Sequence, residues 1–390
     1  MRTTATILLF LSVLVSSCLC VEAVSGESVP FRQAIEPRTL VFPQDHASHA
    51  GFQTEWWYVT GNLKDDSGHE FGYQFTIFRR TLEPGSAVER GRKSKWAVDD
   101  IYIGHLAISD ITGKQFVFRE ESKRGVLGIA GATDAANAGS EPVRIYLSDW
   151  ELRTADNGWS MKARSGGVEI DFSLEKTMQP VPHGRPGEEG LSRKGPKPGQ
   201  ASYYYSVPQL KTSGALTLNG KTFSVKGLSW MDHEFGSNQL SAQQAGWDWF
   251  AIQLDDGRAL MIYILRNKDG TIEPTSSATW IEAGGKGTYV PLDGLKLTKQ
   301  RTWKSPQTGG EYTLGWQIEI PSRNVLLTVD AAQDDQEIRG AKISNISYYE
   351  GAIRVRGRVG GKEVKGSGYL EITGAPGQKD GGERGLGGLL

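Results

Sequence analysis

Cysteine is nearly absent from this chain: its 390 residues include two, Cys18 and Cys20, both close to the N-terminus. Everything downstream of Cys20 is therefore without a disulfide, a thiolate nucleophile or a cysteine-ligated metal. Sustained helical periodicity is missing too. No Gly-x-Ser-x-Gly elbow occurs, which argues against an α/β-hydrolase mechanism. Gly360-Gly361-Lys362-Glu363 has the residues of a phosphate loop without its spacing or a following helix. A formal net charge of -1 provides no field for nucleic acid, which is not an expected partner. The apolar run Ile7 to Val15 is too short to span a bilayer.

That run, behind Arg2, reads as an export signal. Two processing sites compete. Val15-Ser16-Ser17-Cys18 loosely matches a lipobox, which would end the signal at residue 17 and anchor the chain to a membrane through lipidated Cys18. Val21-Glu22-Ala23 is an ordinary signal-peptidase site, giving a signal peptide over residues 1–23. Either way the protein is expected outside the cytoplasm, in the periplasm or beyond it.

What the chain does have is glycine (49 residues), 9% aromatics and period-two alternation, the signature of short strands and turns. Phe71, Tyr73, Phe75 and Ile77 alternate with Glu70, Gly72, Gln74 and Thr76, as in a half-buried strand. Leu314, Trp316, Ile318 and Ile320 alternate before Pro321, and Ile353, Val355 and Val359 interleave with Arg354, Arg356 and Arg358. Two patches also resemble each other. Asp45-His46 precedes Glu55-Trp56-Trp57-Tyr58, an Asp65-Asp66-Ser67-Gly68 turn and a strand ending in Arg79. Asp232-His233 precedes Trp247-Asp248-Trp249-Phe250, an Asp255-Asp256-Gly257 turn and a strand ending in Arg266. The expectation is one β-unit present twice, with each Arg capping a barrel across a Trp.

The fold class is all-β, with two tandem antiparallel β-barrel domains. The first is placed at residues 42–225, including a Pro/Gly-rich loop over 179–200, and the second at 226–374; residues 375–390 are expected to be a disordered tail.

Asp45-His46-x-x-His49 with Glu55-Trp56-Trp57-Tyr58-x-x-Gly61-Asn62-Leu63 is similar to the AttH and carotenoid 1,2-hydratase (hydroxyneurosporene synthase) family. So are Trp230-Met231-Asp232-His233-Glu234-Phe235-Gly236, Gly246-Trp247-Asp248-Trp249-Phe250, Tyr349-Glu350-Gly351 and Gly368 to Gly374. The resemblance, from Phe42 to Gly374, implies two lipocalin-like barrels with a ligand region between or inside them. It also implies that the hydratase branch's His-x-Trp and Tyr-x-Asp pairs fall on Tyr203-x-Tyr205 and Trp230-x-Asp232. The Asp is kept; the His and the tyrosine before the Asp are replaced.

Hydration of an alkene needs a carboxyl still protonated near neutrality, and burial beside aromatic rings raises a carboxyl pKa. Asp232 is accordingly the expected general acid, with His233 and Glu234 beside it. Tyr203, Tyr205, Trp230, Trp247, Trp249, His46, Glu55 and Trp57 are expected to shape the ligand pocket, His46 and His233 positioning water or Asp232. No cofactor is required, and no metal is expected, because Asp-His-x-x-His lacks zincin spacing. His69 and His183 read as solvated. The bland alternative is that Asp232-His233-Glu234 is a structural corner. The expected partner is an apolar or amphipathic small molecule, an isoprenoid or other unsaturated lipid. The rival functions are a non-catalytic envelope lipid carrier, serving a transporter, and a hydrolase.

Overall fold

The computed structural model describes residues 30–86, 90–92, 94–237, 240–339 and 347–377. The leader, Cys18, both processing sites and the tail from 378 onward lie outside the described residues. Among the described residues, 23 strands, β1 to β23 in chain order, form two curled antiparallel sheets, the two barrel-like units expected from the sequence.

In the first sheet β1 (Thr54–Asp65) lies between β2 (Glu70–Thr81) and β13 (Lys221–Gly236), which pairs in turn with β12 (Ala201–Leu218). In the second, β14 (Gln244–Leu254) lies between β15 (Ala259–Asn267) and β23 (Lys362–Ile372), which pairs with β22 (Tyr348–Val359). The change of sheet therefore falls between Gly236 and Gln244, later than the expected 225/226. Lys226 sits mid-strand, opposite Lys64 of β1.

Each sheet curls round its own apolar core, Trp57, Val59, Phe75 and Trp150 in the first and Phe250, Ile252, Leu314 and Trp316 in the second. A third cluster, with Tyr58, Tyr204, Trp230, Trp249 and Tyr369, joins the sheets back to back. Alternation distributes the residues: in β1, Trp57 and Val59 point into the barrel while Tyr58 points to the junction. Covered on both faces, β2 is not half-buried as expected; Gln74 and Thr76 are as buried as Phe75. Along the second half of β22 the simple pattern returns, with Arg354, Arg356 and Arg358 exposed between buried Ile353, Val355 and Val359.

The two tight turns read from the sequence close the β1–β2 and β14–β15 hairpins, with Gly68 and Gly257 both at φ +86, a backbone conformation that favours glycine. The hairpins repeat; the Asp-His pairs do not. Asp45-His46 lies in a short 3-10 turn (Gln44–His46), whereas Asp232-His233 lies inside β13. The arginines do not cap across tryptophans. Arg79 ion-pairs with Glu55 at 2.9 Å and Arg266 with Asp248 at 3.1 Å.

The Pro/Gly-rich stretch lays β10 (Val181–Pro182) and β11 (Leu191–Arg193) along β12 and reaches the second sheet, where the Tyr263 hydroxyl donates to the Arg193 carbonyl at 3.0 Å. The start of the expected tail is fixed: Ala375 packs on the second core, and the Glu311 amide donates to the Pro376 carbonyl at 2.9 Å.

Candidate active site

Between the sheets lies a cavity of about 80 Å³, room for about half a dozen waters. Its first wall is one face of three neighbouring strands. Register sets Tyr58 of β1 and Ser206 of β12 on either side of Asp232 in β13, and Trp56 and Tyr204 on either side of Glu234. The opposite wall carries Tyr263, Trp249, Glu371 and Glu350 on successive strands in one row. Trp247, Leu240 and Leu265 also line the space.

Asp232 is 4% exposed. Its Oδ1 accepts from Ser206 Oγ at 2.5 Å and Trp230 Nε1 at 2.6 Å, and its Oδ2 from Tyr204 Oη at 2.5 Å, whose oxygen in turn accepts from Trp249 Nε1 at 3.0 Å. Burial pushes the carboxyl up to about 7; the three donors oppose the rise and the Glu234 charge adds to it. Glu234 itself is neutralised by Lys194, 3.0 Å away, which lies 4.3 Å over the Tyr263 ring. Burial also raises Glu371 to about 8 and holds Glu350 well above the carboxylate range.

The expected site residues divide by strand face. Asp232, Glu234, Trp247 and Trp249 line the cavity, and Trp230 packs beside it through its bond to Asp232. The other six do not line it. Trp57 and Tyr205 belong to the first barrel's core, and Tyr203 packs on Phe52 and Phe235 outside the junction. The cavity has their strand neighbours instead, Trp56, Tyr58 and Tyr204, because one step along a strand reverses the face.

His46, Glu55 and His233 enter a separate buried network, so His46 and His233 position neither cavity water nor Asp232. His46 Nδ1 meets Tyr205 Oη at 2.6 Å; His233 Nε2 meets Glu55 Oε1 at 2.9 Å, and His49 Nδ1 the same oxygen at 2.7 Å. His49, Glu55 and His233 present ligand atoms within 4.8 Å of one another, a spacing that could hold a metal ion. Those atoms already pair with one another, Arg79 neutralises Glu55, and His49 Nε2 bonds Asp45 Oδ1 at 2.8 Å. The arrangement serves as a closed ion-pair network.

Two histidines were misread as solvated. His183 is 1% exposed and bridges the sheets, with Nδ1 2.8 Å from Thr279 Oγ1 and Nε2 2.6 Å from Ser206 Oγ, the hydroxyl that bonds Asp232. Burial, with the Lys194 charge, lowers it to about 3, so it is neutral. His69 meets Asp110 at 2.6 Å and is partly buried. The other two acids of the lining, Glu350 and Glu371, were not anticipated. The available signal was an acid set among aromatic and apolar neighbours, Tyr348-Tyr349-Glu350 and Tyr369-Leu370-Glu371-Ile372.

Residues 33–375 match the AttH-like family. The chain belongs to the AttH-like family. An AttH from Nitrosomonas europaea, of solved structure, is 30% identical, with a TM-score of 0.77 over 88% of this chain and all of the other. Kievitone hydratase of Fusarium solani subsp. phaseoli is 26% identical over 62% of this chain and 67% of its own length. Dehydratase asqC of Emericella nidulans is 25% identical over 56% of this chain, and the match spans 62% of that relative. These two curated relatives of the AttH-like chain are hydro-lyase-type enzymes, as the resemblance implied.

Proposed function

We propose that this AttH-like protein adds water to, or removes it from, a small apolar or amphipathic molecule, with Asp232 as general acid. The observation that carries the reading is a carboxyl raised to about 7, facing a cavity between aromatic walls. Such a carboxyl still holds its proton near neutrality and can give it to an alkene carbon or to a departing hydroxyl. The faces of Trp56, Trp247 and Trp249 suit the cation that develops. The relatives' names, a hydratase and a dehydratase, favour the same chemistry in its two directions. Acid and water suffice, so the mechanism uses no cofactor. A carrier of plain hydrocarbon is disfavoured, because Lys194 and four carboxyls in the lining would face a ligand that offers them nothing.

Export belongs to the same proposal, on the strength of the leader alone. A mass shift lost in Cys18→Ser would mark the lipid-anchored alternative. Native mass spectrometry of gently purified protein identifies any bound compound. That compound, or kievitone where nothing co-purifies, is the assay substrate. Asp232→Asn is expected to cut water addition by about 10²–10⁴-fold with thermal melting retained. Undiminished turnover would refute the assignment.

A further inference from the structure

The cavity has two acidic walls, and the reaction just proposed uses one. Opposite Asp232, Glu350 and Glu371 are direct partners across the antiparallel β22–β23 pair. Glu350 is fully buried, and Glu371 keeps a little surface toward the cavity. Among the described residues no lysine or arginine lies within ion-pair distance of either, whereas Glu234 has Lys194 and Glu55 has Arg79. Glu350 Oε1 accepts from Tyr58 Oη at 2.7 Å, and its Oε2, also buried, has no partner. Two carboxyls facing each other without a cation do not both ionise; the second proton is held by the first charge.

We propose that Glu350 and Glu371 share one proton and act as the second acid–base group of this site, taking the proton shed by the attacking water while Asp232 gives its own to the substrate. The proposal rests on the hydro-lyase reading above. In hydration the Asp232 proton forms the new C–H bond as the π bond breaks. Water oxygen bonds the adjacent carbon, and the proton it loses goes to the ionised member of the pair. With Asp232 at about 7 and Glu371 at about 8, the form with Asp232 protonated and the pair ionised once is a minority form, populated most between those values. The substrate gains one water; Asp232 is left ionised and the pair fully protonated. A proton returning through cavity water restores both, and dehydration runs the same steps backward.

The setting fits that exchange. Tyr58 spans the walls, bonded to Glu350 and set opposite Asp232 in the β1–β13 register. From β14, Trp249 stands opposite Glu371, and the nearby Trp247 side chain opposes the rise in its pKa. The charged groups bearing on the pair are Asp232 and Glu234, which raise Glu371 further, and the Lys194 cation bound to Glu234. Tyr348, next to Glu350, is held by His105 Nδ1 at 2.8 Å and stays a neutral phenol.

The test assays wild type, Glu350→Gln, Glu371→Gln, the double variant and Asp232→Asn with kievitone and with its hydrate, alongside infrared titration of protonated carboxyl bands. Either single variant is expected to abolish the upper ionisation of the pair and to leave the first, which sets the acidic limb of the pH–rate profile, in place or slightly raised through loss of the shared proton. The double variant is expected to lose about 10²-fold or more in rate and the acidic limb altogether. In the infrared, one protonated carboxyl that persists above neutrality disappears. Wild-type rates and profiles in all three glutamine variants, with Asp232→Asn inactive, would overturn the pair and leave the general acid standing. Full activity in Asp232→Asn would overturn the reaction itself. If wild type turns over neither compound, the infrared titration decides: a shared proton lost in Glu371→Gln supports the pair, and two glutamates that ionise together contradict it.

Discussion

Two acidic clusters grow from the same strands, β1 and β13, and point in opposite directions. Inside the first barrel, Glu55 and His233 join His49, Asp45 and Arg79 in a network in which every carboxylate meets a cation or a donor. The Arg79 and His49 charges outweigh burial and hold Glu55 well below the usual carboxylate range. Three residues along β1 from Glu55 and one along β13 from His233, Tyr58 and Asp232 face the cavity, where among the described residues no lysine or arginine pairs with Asp232, Glu350 or Glu371 and burial raises all three. Compensation makes the first cluster a fixed structural element. Its absence leaves the second with protons to exchange. What differs is the presence of Arg79, not the kind of acid.

Breaking the compensated side has the largest expected effect. Arg79→Met strands the Glu55 charge in the barrel interior, and we expect a loss of about 3–5 kcal/mol in denaturant unfolding. Asp232→Asn is expected to leave the fold as stable as wild type or more so. A smaller contrast sharpens the division by strand face. Tyr204→Phe removes a donor to Asp232, so its pKa rises further and the alkaline limb of the pH–rate profile moves up, with a rate loss of about tenfold or less. Tyr205→Phe costs stability of about 1 kcal/mol through the lost bond to His46 and leaves that profile unchanged. Equal profiles in the two variants would remove the distinction.

The all-β class, the hairpin turns and the burial of the Asp232 carboxyl among aromatic rings were legible because each rests on a local pattern: alternation, Asp-Gly turns, a carboxyl flanked by aromatics. The face of Tyr203-Tyr204-Tyr205 was not. Three identical side chains carry no polarity contrast, and both sides of that strand are buried. The Glu350–Glu371 pairing was hidden for another reason. It follows from register carried back from the Gly360-Gly361 hairpin turn, not from any pattern around either glutamate. The same holds for His183, placed by a Pro/Gly-rich stretch that reads as solvent-exposed until it is laid against β12.

The central claim, that Asp232 keeps its proton in the cavity near neutral pH, is tested most directly by unfolding wild type and Asp232→Asn across pH and taking the difference. In the unfolded chain the carboxyl ionises near pH 4, and in the folded state near 7. Between those values the native state binds the extra proton, so the Asp232 contribution to stability is complete below the window and falls as pH rises through it. Titrating groups away from the cavity are shared and cancel; Glu371, raised by burial and further by the Asp232 charge, shifts with the substitution and adds a smaller contribution at the upper end of the window. The account predicts that the asparagine variant gains on wild type by about 4 kcal/mol from pH 4 to pH 8. Parallel curves, or a difference of opposite sign, would show that Asp232 is ionised throughout and contradict its role as the acid.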